Sequence, residues 1–219
     1  MASAVESGRK ATRRRRMPRA DRELQMLEVA EKVFAERGYQ DASMEEIARR
    51  VGVTKPMLYA YFGSKEGLLL ATIVKIRTDM TAHVMNAVVG AGSPREMLWR
   101  GIHAYHFFVA EHQQGWAVVR ELGNRSANEG VEAVRRNLSL LIADLVAAHV
   151  PHVPELEREA LGELIVGACE RIELWRQTRP EVSPHDAAEL VLAALWPGLQ
   201  QRAADYGVDL EASLAELTA

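Results

Sequence analysis

Residues 43–65 read SMEEIARRVGVTKPMLYAYFGSK, from Ser43 to Lys65. Ser43 followed three residues later by Glu46 is the capping-box pattern: the Ser side chain serves an orphan backbone N–H, and the Glu reaches back to the Ser amide. A helix therefore starts here, with Ile47, Ala48 and Val51 as its inward stripe. Gly52 stands just past its end, where the left-handed backbone conformation costs glycine least. Val53 then points into a core, Thr54 is placed as an N-cap, and Pro56 is tolerated in the first turn of a second helix. That helix carries Lys55, Pro56, Met57 and Tyr59, with Leu58 and Phe62, four apart, anchoring it inward. Two short helices about one glycine are a device for laying the second in a DNA groove.

These residues resemble the DNA-binding part of TetR-family transcriptional regulators. AEKVFAERGY (Ala30 to Tyr39) is similar to the family's first helix, and VTKPMLYAYFGSKEGLL (Val53 to Leu69) to its recognition helix and the start of the fourth. The match runs from about Asp21 to Leu70, and beyond it the likeness is one of helical plan. The resemblance implies an all-α protein of about nine to ten helices: a three-helix helix-turn-helix DNA-binding domain over 20–66 and a helical ligand-binding and dimerisation domain over 67–219. It implies a homodimer on a palindromic double-stranded DNA operator and a small lipophilic or amphipathic effector. Among matched positions, Lys55 is offered to guanine O6 and N7, and Pro56, Met57 and Tyr59 to thymine methyls or the sugar backbone. Ser43, Thr54, Tyr61 and Lys65 fall where relatives touch phosphate, and Met44 where some place a polar DNA-contacting side chain.

Composition fits this reading. No apolar run approaches the ~20 residues that cross a bilayer. The amino terminus has no apolar stretch behind its charges and so is not expected to be a secretory signal. Cys169 is alone, which leaves no internal disulfide and fits a reducing cytoplasm. The formal net charge of −3 hides an asymmetry: residues 1–70 hold 14 Lys and Arg against 10 Asp and Glu, whereas 71–219 hold 13 against 20. Residues 1–19, with Arg13, Arg14, Arg15 and Arg16 at their centre, are too poor in apolar surface to fold alone. They are expected to be a disordered basic arm that neutralises phosphate or enters a narrow minor groove.

The rest of the chain shows helical periodicity, with no period-2 segment and no internal repeat. The first helix is expected from Asp21 to Arg37, with Leu24, Leu27, Ala30 and Phe34 inward and Gly38 at its end. A fourth begins at Ser64 and runs to about Val89, linking the two domains. Ser93, Pro94 and Glu96 open a fifth with another capping box. Further helices are expected over Trp116 to Glu121, Val131 to Ala148, Glu155 to Arg176, Pro184 to about Tyr206, and Leu210 to Leu217. Pro197 should kink or end the Pro184 helix near Trp196.

Leu161, Ile165, Ala168 and Ile172 form an apolar stripe, and Ala187, Leu190, Val191, Ala194, Leu195 and Gly198 a face of small residues. The family assigns this pair of helices to a four-helix dimer interface, while periodicity alone equally allows an intramolecular core stripe. For the ligand pocket the candidates are Trp99, His103, Tyr105, Phe107, Phe108, Trp116, Glu121, Cys169, Glu170 and Trp175, an apolar and polar mix of the kind that orients a small molecule. The acidic body leans towards a cationic effector. His103 with His106, and His149 with His152, share a ligand-like spacing but lack the further ligands that a metal site needs, so no metal is expected. Nothing nominates a cofactor, and without a G-x-S-x-G elbow, a phosphate-cradling glycine loop or a CxxC pair the chain is not expected to be an enzyme. The reading is a DNA-binding transcriptional regulator, a repressor released from its operator by a small molecule. The alternative is a DNA-organising or protein-partnered factor of the same fold with no small ligand.

Overall fold

The computed structural model describes residues 17–113, 115, 116, 119 and 129–211. Among them the chain is all helical, with no strand: α1 (Arg19–Asp41), α2 (Met44–Val51), α3 (Lys55–Phe62), α4 (Lys65–Val88), α5 (Pro94–Glu111), α6 (Glu129–His149), α7 (Glu155–Arg176) and α8 (Pro184–Asp205). The helices expected over 116–121 and 210–217 lie wholly or largely outside the described residues, as does the arm with Arg13, Arg14, Arg15 and Arg16.

Local signals set most boundaries. Ser43, Ser64, Ser93 and Ser183 each accept a hydrogen bond from a first-turn amide, and Ser183 with Asp186 completes a capping box. The two reciprocal bonds expected from glutamates do not form as expected. Glu46 turns instead to Arg50, at 2.6 Å, with Arg37 at 3.8 Å. Glu96 reaches one residue further back, accepting from the Gly92 amide at 2.7 Å. In both cases a neighbouring donor satisfies the carboxylate better than the N-cap amide does. Gly52 ends α2 at φ 80°, and its amide donates to Ala48 O at 2.9 Å.

α1 extends beyond its expected ends, but Gly38 does break it, with φ 70° and ψ 167° inside the helix. Its buried face is Met26, Leu27, Ala30, Val33 and Phe34, whereas Leu24 is exposed, one turn short of the packed stretch. α8 runs on through Pro197 to Asp205 without a non-helical residue, so the break expected near Trp196 does not occur. The helix tolerates the missing donor because Trp196 and Ala203, on either side, are both buried in the core.

α1, α2 and α3 pack round Leu58, Ile47 and Phe34 to make a small head. α4 carries that core onward: Leu68, Leu69 and Ile73 face the head, and Ile76, Met80, Val84 and Val88 are buried along the rest of the helix. α5 to α8 form the body around the far half of α4. α6 and α7 approach so closely that a Cβ at Gly162 would lie 2.2 Å from the Ser139 carbonyl oxygen, so only glycine fits that crossing. No helix among the described residues is long and apolar enough to cross a membrane.

Candidate nucleic-acid interface and ligand cavity

On the head, α3 buries Leu58 and presents its other side to solvent, with Pro56 exposed, Met57 41 % and Tyr59 42 % exposed. Large apolar side chains standing in water on a short helix are poised for contact with something else. Thr54 is exposed at the start of the helix, and its side chain makes no capping bond. Lys55 is held by the Glu45 carboxylate of α2, and that pairing draws Glu45 below the ordinary carboxylate range. Lys65 donates to Gln40 O at 2.9 Å and lies 4.6 Å over the Tyr39 ring. Tyr61 is half-buried beneath the Arg19 guanidinium, at 5.1 Å. Ser43 spends its hydroxyl on the Glu46 amide at 3.1 Å. Thus Thr54, Pro56, Met57 and Tyr59 stand exposed on α3 and its flank, with Lys55 half-buried among them.

Met44 does not belong to that surface. It is 4 % exposed and packs in the hydrophobic core with Ile47 and Ala48. At the first position of α2 its side chain turns inward, so it closes the head's core and cannot reach a groove.

In the body, α4 to α8 line a half-open cavity of about 140 Å³. Its walls are almost wholly apolar: Val84 and Val88 of α4, Leu98 and Ile102 of α5, Ile142 of α6 and Ile165 of α7 are representative. Of the expected pocket residues, Tyr105 and Cys169 line it. Burial pushes the Cys169 thiol up to about 12, so it stays neutral there. Glu170 lines a smaller adjoining chamber and pairs with Arg77 at 3.0 Å.

The other candidates lie elsewhere. Trp99, His103 and Phe107 stack as a half-buried column on α5 beside His185 of α8, with ring centroids 4.6 and 4.1 Å apart, and the Trp99 indole donates to Glu189 at 2.6 Å. Burial, then His185 nearby, lowers the His103 pKa below the ordinary histidine value. Phe108 is core against His83 and His112. Trp116 is buried edge-on against Tyr105, at 5.9 Å. Trp175 is half-buried under Arg179 at 5.2 Å. Glu121 lies outside the described residues. The reason is angular: α5 turns its 98, 102, 105 stripe to the cavity, and the 99, 103, 107 face lies about 100° round the helix from it.

Sequence reasoning missed most of the lining, including Met85, Met97, Val146 and Leu199, because an aliphatic side chain beside a void looks like any core residue. Among the described residues no Asp or Glu lines the main cavity, and Arg202 does, so the expected lean towards a cationic ligand finds no support in those walls. Arg202 itself pairs with Glu157, whose Oε2 also accepts from the Tyr206 hydroxyl at 2.7 Å.

The expected dimer faces are partly reassigned. Ile165, Ala187 and Val191 are buried within this chain, Leu161 and Ile165 line the cavity, and Ala168, Ile172 and Leu195 are half-buried. An inward stripe cannot also meet a partner. The solvent face of α7 is instead Leu156, Ala160, Leu164, Gly167, Arg171 and Leu174, with Leu164 53 % exposed. On α8, Leu190 (49 % exposed), Ala194 and Gly198 are open, joined by Ala193 and Pro197.

A helix-turn-helix head joined by one continuous helix to a cavity-bearing helical body defines a class: DNA-binding transcriptional regulators. Comparison with known proteins narrows it. Residues 26–72 match the family described as bacterial regulatory proteins, tetR family, and residues 94–198 a tetracyclin repressor-like C-terminal domain. A TetR-like transcriptional regulator from Rhodococcus sp. RHA1 has a crystal structure that is 33 % identical, with a TM-score of 0.61, over 84 % of this chain and 98 % of that one. The chain belongs to the TetR family of transcriptional regulators. The HTH-type transcriptional activator FasR of Mycolicibacterium smegmatis is 37 % identical over 106 residues, 48 % of each protein. The chain spans less than half the length of the curated relatives it matches. Bacillus subtilis FadR, solved in complex with stearoyl-CoA, shares the fold at a TM-score of 0.66 and 18 % identity, covering 78 % of this chain and 96 % of that one.

Proposed function

We propose that this protein is a homodimeric repressor that binds a palindromic operator through residues 20–66 and releases it when a lipophilic or amphipathic small molecule enters the body, residues 67–219. The observation that carries this reading is the sharing of α4. Leu68 and Leu69 at its start are buried in the head beside α3, while Val84, Met85 and Val88 at its far end line the cavity. A cavity of this size, comparable to the ~150 Å³ that admits benzene, accepts a small ring as it stands. A larger ligand must push α4 and α5 apart, which moves the two recognition helices of a dimer away from the ~34 to 36 Å spacing of successive major grooves. The open leucine and small-residue faces of α7 and α8 supply a two-fold interface between copies. Such a protein acts on DNA in the cytoplasm by binding, without turnover. The cavity also favours this reading over a ligand-free factor of the same fold.

The test has three parts. Fragments of the organism's own DNA are selected on the purified protein, and their common sequence should be palindromic. A panel of lipophilic compounds is then scored by thermal shift and by operator affinity. A compound that stabilises the protein by about 2.7 kcal/mol at a hundredfold excess over its Kd should weaken operator binding, because the two linkages are reciprocal. Cys169→Phe, which fills the cavity, should abolish both effects and leave DNA affinity alone. A panel with no hit, together with DNA binding indifferent to every compound, sinks the effector reading. FasR's name as an activator favours a second reading of sign, which a reporter gene behind the selected operator decides.

A further inference from the structure

Two buried donors without partners stand at the α4 side of the cavity. Tyr105 is buried and lines the main cavity, and its hydroxyl has no hydrogen-bond partner among the described residues. The same residue lines the adjoining chamber, about 10 Å³, with Arg77 of α4, Arg135 of α6 and Glu170 of α7. Arg77 donates from Nη1 to Glu170 at 3.0 Å, yet its buried Nε has no partner among the described residues. Leaving a hydroxyl and a guanidinium N–H both desolvated and unmatched is costly, and protein interiors seldom do it.

The chemistry of the two groups says what would match them. Arginine Nε–H can only donate. Burial, followed by the nearby Glu170, raises the Tyr105 phenol well above its ordinary value, so it keeps its proton and can donate as well. An acceptor is therefore required. A carboxylate is the wrong acceptor, because Glu170 already neutralises Arg77, Glu132 and Glu163 already neutralise Arg135, and a further anion would be repelled. The chamber holds about one water-sized group, so only a ligand's polar atom enters it, while the apolar cavity takes the remainder.

Resting on the reading of this cavity as the effector site, we infer that it takes a lipophilic molecule bearing a neutral carbonyl group, whose oxygen accepts from the Tyr105 hydroxyl beside Arg77. This carbonyl site touches α4 directly, so the ligand's polar atom and its apolar body bear on the same helix that enters the head.

Ethylbenzene and acetophenone differ by one CH₂ against one C=O and are small enough for the cavity, so they are the probes. Each is titrated calorimetrically into the full-length wild type and into Tyr105→Phe, which keeps the ring and removes the unmatched hydroxyl. Acetophenone should bind the variant about tenfold more weakly than the wild type, while ethylbenzene binds both within about twofold. In the wild type alone, the carbonyl stretch of bound acetophenone should move to lower frequency than in hydrocarbon solvent, a readout that needs no variant. If acetophenone binds both proteins equally and its carbonyl stretch matches that in hydrocarbon, the carbonyl site is wrong and the lipophilic cavity stands. If neither probe binds the wild type at saturation in water, the effector site itself falls and this inference with it.

Discussion

The head and the body solve opposite problems with the same material. In the head, two helices of eight residues close with α1 round the Phe34, Ile47 and Leu58 core, and the charged groups at its surface pair with one another: Arg50 holds Glu36 at 2.8 Å and Glu46 at 2.6 Å. In the body, helices of 18 to 22 residues stand round a void, with leucines left open on α6, α7 and α8. A packed unit moves as a rigid piece, whereas a hollow one can settle into more than one packing. The contrast suits a regulator: the part that must match a groove has one shape, and the part that must respond has room to change. α4 belongs to both cores, so a change in one cannot stay there.

The comparison can be broken most forcefully at Leu58. Leu58→Ala removes a fully buried side chain from the head and should cost about 3 to 5 kcal/mol. Operator binding should vanish while ligand binding by the body survives. If both functions fail together in a two-state melt, head and body are one cooperative unit and the contrast is thermodynamically empty.

A smaller effect is expected between copies. Ala194→Arg sets a charge on the open small-residue face of α8, and burying it unpaired against a partner should weaken the dimer by about 3 kcal/mol. Sedimentation should show monomers with intact helicity, and an undisturbed dimer would move the interface off α8. At the head's surface the expected change is smaller again. Lys55→Ala should lower operator affinity about tenfold and relax discrimination at one base pair per half-site. Glu45→Gln, which frees Lys55, should strengthen binding to unrelated DNA instead.

The smallest effect concerns pH and separates the two regions chemically. In the body, Glu173 is fully buried, with His106 Nδ1 at 2.7 Å and Arg176 on both carboxylate oxygens. Burial works to raise its pKa, but the hydrogen bonds from His106 and Arg176 prevail and hold it below the ordinary carboxylate range. A carboxylate whose folded pKa is depressed contributes stability above its unfolded value and loses it as pH falls through the folded one. Glu173→Gln should therefore melt lower than the wild type at neutral pH, and the gap should close as pH falls below the ordinary glutamate value of about 4.3 and through the depressed folded one. A gap independent of pH would show that the cluster acts by packing and not by charge.

How much of this was legible beforehand differs by region, for a physical reason. Ser43, Gly52 and Pro56 act on backbone groups within four residues of themselves, so the turn and the start of α3 could be read directly, although the Thr54 side chain makes no capping bond. The same logic placed the start of α5, where Ser93 accepts from the Glu96 amide and Pro94 takes the first helical position. Where a signal depended on competition, it was misread: Glu46 and Glu96 found better donors than their caps, and Met44 turned to the core. In the body, the pattern that marks Leu161 and Ile165 as apolar cannot say whether they face a partner, a core or a void. Trp99, His103 and Phe107 carried the strongest chemical character and lie outside the cavity, while plain aliphatic residues line it.

The order of amino acids by itself determined the helices among the described residues, the turn between α2 and α3 and the exposed positions of α3, because capping, turn chemistry and helical period are short-range properties of the chain. Only the tertiary structure decided which stripe of α7 turns inward, where the cavity lies, and that Tyr105 and Arg77 come together beside it. Those facts depend on the rotation and separation of helices far apart in sequence. That geometry is set by the packing of all of them at once.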